Sequence, residues 1–185
     1  MTYPAPKKAD NHGARFRREI VRQARLDWLD PYDTADEYNA EIGWRTGHND
    51  DWCGTWAGAV AVRAGLAKTI ALRVMPSTYR LATDVEGEPG WSSVDYNPPE
   101  PVAPADVQPG DIVAVKTSGG KTYGDHIAIV YAVLGDKIYT YEGNTRAGIT
   151  ADIERPTRRS VCRCVRDMAD IRRVYRFEWR HREAA

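Results

Sequence analysis

The segment DDWCGTWAGAVAVRAG constrains this chain more than any other. Cys53, Ala57, Val60, Ala61 and Ala64 recur at three- and four-residue steps, which on a helix is one stripe. All are small, so the helix can lie close to whatever it packs on. Asp50 or Asp51 is placed to cap its start and Gly65 to end it, setting the helix at about 50 to 64. A close-packed helix needs a surface free of bulk. HIAIVYAV supplies one, because His126, Ala128, Val130 and Ala132 share one face of a strand. The spacing predicts that the helix seats on that face, with Cys53 beside His126 at the ends of their elements.

Around this pair the rest of the chain falls into place. Phe16, Ile20, Val21, Ala24 and Trp28 mark an earlier helix from about Ala14 to Leu29, which Asp30-Pro31 ends. Residues 27–51 carry Asp27, Asp30, Asp33, Asp36, Glu37, Glu41, Asp50 and Asp51 against Arg45, and read mostly as a surface loop. A weak helix surrounds Ile70 to Met75 and stops at Pro76. Residues 85–110 hold Pro89, Pro98, Pro99, Pro101, Pro104 and Pro109 and read as a long arm rather than a strand. Strands follow at Ile112–Val115, His126–Val133 and Lys137–Glu142, with one or two more within Val161–Val165 and Arg173–Trp179. Helices first and a sheet afterwards is an α+β pattern. At 185 residues the chain is one domain's worth, read as a tail over 1–12 and a single domain over 13–182 with an insertion at 85–110.

Charge excludes more than it suggests. Lys+Arg and Asp+Glu both total 26, so no net field favours nucleic acid. No apolar run approaches the roughly 18 residues of a membrane span. MTYPAPKKADNHG lacks the apolar core of a secretory signal. Three cysteines (Cys53, Cys162, Cys164) are too few and too odd for a disulfide framework, so synthesis in a reducing cytoplasm is expected.

The chemistry concentrates on four residues. A cysteine in the first turn of a helix is placed to be a nucleophile, since the thiolate is the reactive form and a helix start favours it. His126 beside it is placed to take the thiol proton and return it to a leaving amine. A third group must orient the imidazole, and Glu142 and Asn144 in YEGNT are the candidates. Which face they occupy depends on the hairpin at Gly135-Asp136. A two-residue turn pairs Ile129 with Glu142, puts the carboxylate on the wrong face and would sink the arrangement. A three-residue loop pairs His126 with Asn144 and Ala128 with Glu142. An odd-length loop or a bulge is therefore expected.

WCGTWAGAV, PGDIVAV, GDHIAIV and YEGNT, in that order, resemble the CHAP family, the cysteine, histidine-dependent amidohydrolases/peptidases, over about residues 14–145. The family is papain-like and related to the NlpC-type cell-wall peptidases. The resemblance implies a papain-like fold of helices packed on an antiparallel sheet. It implies Cys53 as nucleophile, His126 as base, Glu142 as the orienting group and Asn144 as its assistant. It implies peptidoglycan as substrate and partner, cleavage of an amide or peptide bond, and no cofactor. Export would follow a non-Sec route to the periplasm or cell wall, as a phage lysin or as a secreted antibacterial effector with a cognate immunity protein and a secretion apparatus.

Weaker signals have plainer readings. Cys162, Cys164 and His181 lack the spacing of a zinc site. Asp27, Asp30, Asp33 and Asp36 lack the pattern of a calcium loop. His48 is a rival base without a partner strand. Trp52, Trp56 and Trp91 read as packing residues before groove residues. The arginines from Arg155 to Arg182 read as a solvated face. Two alternatives stay open: a cysteine acyltransferase or protein peptidase on the same fold, or a binding module that uses the arginine-rich end.

Overall fold

The computed structural model describes residues 12–31, 34–44, 52–74, 91–95, 102–117, 126–145 and 160–177. Helices α1 (His12–Leu29), α2 (Ala35–Ile42), α3 (Cys53–Arg63) and α4 (Lys68–Val74) precede every described strand. The strands are β1 (Trp91–Asp95), β2 (Ile112–Val115), β3 (His126–Leu134), β4 (Lys137–Thr145), β5 (Ser160–Asp167) and β6 (Ile171–Phe177). This is the expected α+β architecture. In α1 the stripe Phe16, Ile20 and Ala24 is buried, as its spacing requires. The tail expected before it lies, up to residue 11, outside the described residues.

Three local readings are corrected. The acidic stretch is not all loop, because α2 lies within it. Thr34 and Glu37 form a capping box at its start, and Gly43 closes it at φ 80°. Tyr38, Asn39 and Ile42 of that helix are buried. Helix α3 takes Trp52 as its N-cap, without a side-chain cap; the proposed caps Asp50 and Asp51 lie outside the described residues. The proline-rich arm contains a strand after all, since β1 pairs antiparallel with β6 from Trp91↔Phe177 to Asp95↔Arg173. An edge position tolerates such a short, proline-flanked strand.

The six strands are antiparallel in the order β1-β6-β2-β3-β4-β5. Strands β5 and β6 are joined only by Met168–Asp170, yet β2, β3 and β4 stand between them. In a flat sheet that separation is about 19 Å. The link reaches at most about 14 Å. The sheet therefore curls, bringing the Asp136 turn to Met168 N and Asp170 O to Lys116 N.

Two cores result. The helices pack on Ile112, Ala114, Ile127, Ile129, Tyr141 and Tyr175. The other face gathers Val113, Val115, Ala128, Val130, Ile138, Met168 and Val174, covered by Val102 and Val107 of the arm. The expected seat of the cysteine helix is thus corrected. It is the Ile127–Ile129 face of β3, not the Ala128–Val130 face. The small residues serve the inside of the curl, where side chains crowd. On the same strand ladder, buried Asp111 accepts both arms of Arg176, at 2.9 and 2.7 Å, and fixes the start of β2 against β6.

The β3–β4 hairpin combines two features that sequence reasoning set against each other. Leu134 pairs with Lys137, so the turn has the two residues Gly135 and Asp136. Gly135 takes φ 61°, as the first position of a type II′ turn requires. A turn this tight, taken alone, would have put Glu142 on the wrong face. The register then shifts between Val130 and Ala132, leaving Tyr131 as a bulge and pairing Ile129 with Tyr141. One more rung sets Ala128 opposite Glu142. The bulge supplies the odd residue that the turn does not.

Helix α3 approaches β4 at Gly143. A Cβ there would stand 2.6 Å from Trp56 Cγ and 2.7 Å from its Cβ. Trp56 cannot give way, because its indole N–H donates to Asp27 Oδ2 at 3.0 Å. Asp27 also receives Arg63, whose other nitrogens reach Glu41 at 2.7 and 2.6 Å, so one half-buried node ties α1, α2 and α3. Gly143→Ala is expected to cost about 1–3 kcal/mol through overpacking. Urea unfolding measures this, and a variant as stable as wild type would show that the helix has room to retreat.

Candidate active site

The start of α3 and the start of β3 meet. Cys53 is the first residue of its helix and His126 the first of its strand, and each is 7% exposed. The Cys53 thiol lies close enough to the imidazole to act on its ionisation. Its Nε2 lies 2.9 Å from Glu142 Oε2, but the N–H points off the line to that oxygen, so the contact is an ion pair more than an aligned hydrogen bond. With Nε2 on the carboxylate, Nδ1 is the nitrogen left for the thiol. The strand interior turns its isoleucines to the helix. His126 still meets Cys53 because it stands at the rim, where the strand begins.

Glu142 is fully buried and held from three sides. Thr140 Oγ1 donates to Oε1 at 2.6 Å. Arg166 donates through Nε to Oε1 at 2.9 Å and through Nη2 to Oε2 at 2.5 Å. Sequence reasoning missed Arg166, counting it with the solvated arginines. A signal was available: Cys162, Cys164 and Arg166 alternate, so an arginine shares a face with two buried thiols and demands a buried acid.

Burial pushes the His126 imidazolium toward losing its proton. The hydrogen bonds and charges of Cys53 and Glu142 outweigh this and raise its pKa from 6.5 to about 10. Burial pushes the Glu142 carboxyl up, but Arg166 and His126 reverse it and hold it well below the usual carboxylate range. Burial, with Glu142 adding to it, pushes the Cys164 thiol up, which leaves it an inert thiol beside the site. The arrangement stabilises an imidazolium beside Cys53, the state that taking the thiol proton would create, and holds an anion behind it. That is the equipment of thiolate chemistry.

Asn144 departs from its expected geometry. The register against β5 shifts between Glu142 and Thr145, and Asn144 sits at φ 60° in the left-handed region that asparagine tolerates. The simple alternation that would place it on Glu142's face is broken there. His48 and His181 lie outside the described residues. Trp52 stacks on Tyr38 with centroids 5.4 Å apart, and Trp56 is bound to Asp27, so both are packing residues. Asp27, the first of the spaced aspartates, is spent on Arg63 and Trp56. Among the described residues no group of His, Cys, Asp or Glu is arranged to hold a metal ion.

The solvated reading of the arginine-rich end is corrected at three of its positions. Arg166 is buried on Glu142, and Arg176 grips Asp111. Arg163 bonds the Tyr131 hydroxyl at 2.9 Å and lies over the Trp28 ring at 5.1 Å. These three cations are committed to internal partners. No helix among the described residues is long and apolar enough to cross a membrane.

No family model and no curated protein match this sequence. The fold is similar to the crystal structure of Ly7917 with the hydrolyzing product of MDP, at 17% identity and a TM-score of 0.50, over 88% of this chain and 63% of that one. Another crystal structure of Ly7917 matches at 18% identity and a TM-score of 0.45, over 87% and 62%. The chain spans under two thirds of that protein's length. At this identity the likeness is one of fold.

The site makes stability depend on pH in a signed way. His126, raised in the folded state, contributes stability that is complete below its unfolded value of 6.5 and lost as pH rises through about 10. Glu142, depressed, contributes above 4.5 and loses that contribution as pH falls below it. Urea midpoints are expected to be highest between roughly pH 5 and 7. In His126→Gln the alkaline decline should flatten while the acid decline stays; an unchanged alkaline slope would assign it elsewhere.

Proposed function

We propose that this chain is a cysteine amidohydrolase or peptidase that cuts an amide or peptide bond of peptidoglycan. The observation that carries the reading is the Cys53–His126–Glu142 juxtaposition: a thiol that acts on a buried imidazole whose far nitrogen rests on a buried carboxylate. The fold shared with Ly7917, solved with a product of MDP, supports a cell-wall substrate. The CHAP-like order of the motifs supports the same class, with residues 13–182 as one catalytic domain.

The mechanism follows from the geometry. His126 Nδ1 takes the proton of Cys53, and Glu142 stabilises the imidazolium. The thiolate attacks the carbonyl carbon and forms a C–S bond, and the carbonyl oxygen becomes an oxyanion. The first intrahelical bond of α3 is Trp56 N–H to Trp52 O, so the N–H of Cys53 has no helix partner and is placed to donate to that oxyanion. The C–N bond breaks as His126 returns its proton to the leaving amine. His126 then takes a proton from water, whose oxygen attacks the thioester. The acid departs and Cys53 regains its proton. Asn144, assigned by its motif, assists the imidazole.

Digestion of purified sacculi, with products resolved by mass spectrometry, tests this. Wild type is expected to release fragments whose new termini identify the bond. Cys53→Ala should lose at least about 1,000-fold in rate, since nucleophile and base act as a unit. A folded, reduced wild type that releases nothing would refute the wall substrate, and an active Cys53→Ala would refute the nucleophile.

A further inference from the structure

Glu142 orients His126 in the mechanism above, but a fully buried carboxylate does not stay ionised or aimed by itself. We infer that Arg166 is a positioning residue for the Cys53–His126 pair, acting through Glu142: its guanidinium fork keeps that carboxylate an anion and turned toward the imidazole. The inference rests on reading Cys53 as nucleophile and His126 as base.

The geometry divides the carboxylate's work. Oε1 accepts from Thr140 Oγ1 and Arg166 Nε, both at hydrogen-bond distance on strands β4 and β5. Oε2 accepts from Arg166 Nη2 and faces His126 Nε2. Two parallel bonds from one planar fork fix the plane of the carboxylate, which a single cation does not do. The fixed plane leaves Oε2 presented to the imidazole.

Charge follows the same division. The groups around Glu142 are His126 from β3, Thr140 from its own strand, and Arg166 and Cys164 from β5, with Cys162 opposite it in register and Cys53 of α3 beyond the imidazole. Arg166 and Glu142 cancel, and once the proton has passed from Cys53 to His126 in the proposed mechanism their charges cancel too. The carboxylate therefore does not hold His126 charged alone. Without Arg166, Glu142 is left with one hydroxyl and the imidazole, and its anion becomes costlier to hold. Asp27 shows the tendency in this chain: it has Arg63 and Trp56 as partners, yet burial still raises its pKa.

Alkylation of Cys53 by iodoacetamide across a pH series, read by peptide mass spectrometry, reports the thiolate–imidazolium pair without any substrate. In Arg166→Met the acid midpoint is expected to move up by about one pH unit or more. Losing the cation raises it directly, and a Glu142 anion held less firmly gives less support to the imidazolium that pairs with the thiolate. Arg166→Lys, which keeps a charge but loses the fork, should fall between. A merely structural role would lower the melting temperature and leave the midpoint of the folded variant in place; that result, or a downward move, overturns the inference. If Arg166→Met does not fold, Arg166→Lys decides by the same criterion. A midpoint that moves while wild type leaves sacculi intact refutes the substrate and keeps Arg166. A wild-type Cys53 with the profile of an isolated thiol refutes both.

Discussion

The site depends on how closely α3 can approach β4, and that distance is set where Trp56 meets Gly143. No side chain fits at 143 while the tryptophan stays where it is. Asp27 pins the indole, and Arg63 joins Asp27 to Glu41. Cys53 lies three residues before Trp56 on the same helix, and Glu142 lies one residue before Gly143 on the strand. The contact that positions the helix thus also positions Cys53 against His126 and the carboxylate behind it. A helix held further out would draw the Cys53 thiol away from the imidazole.

Buried charge organises the rest of the fold. Glu142–Arg166, Asp111–Arg176 and the Asp27–Arg63–Glu41 node each join elements distant in sequence. Such pairs contribute little net stability, because desolvation consumes most of the attraction. Breaking one by removing a partner is expensive, and that asymmetry makes each pair a register lock. Glu142 and Arg166 hold β4 to β5 in one alignment only, and Asp111 and Arg176 hold β2 to β6. A curled sheet assembled from short strands needs such locks, since its apolar faces alone would tolerate a slip of two residues.

The hairpin shows how far sequence reasoning reached. The requirement that Glu142 share a face with His126 was legible from side-chain alternation, and so was the need for one extra residue. Its location was not. The loop stayed at two residues, with Gly135 supplying the positive φ, and Tyr131 became the bulge. Tyr131 packs with Tyr139 and Tyr141 and takes the Arg163 guanidinium on its hydroxyl. These tertiary contacts stabilise a bulge that no local propensity announces. The same limit explains α2, whose capping box was readable at Thr34 and Glu37 but was masked by the acidity of its surroundings.

The sequence by itself determined what depends on neighbouring residues: the periodicity of α1 and α3, the order of helices before strands, the alternation along β3, and Cys53 and His126 at the starts of their elements. These follow from backbone geometry, which repeats every 3.6 or every 2 residues whatever the environment. Only the tertiary structure decided which face of β3 receives α3. The small residues pointed to one face, and the curl of the sheet claimed that face for its interior. Only the tertiary structure separated Arg166 from the arginines around it, because a buried cation is defined by the acid it meets across the sheet. Spacing along a chain records which side chains share a face; it does not record which distant group completes them.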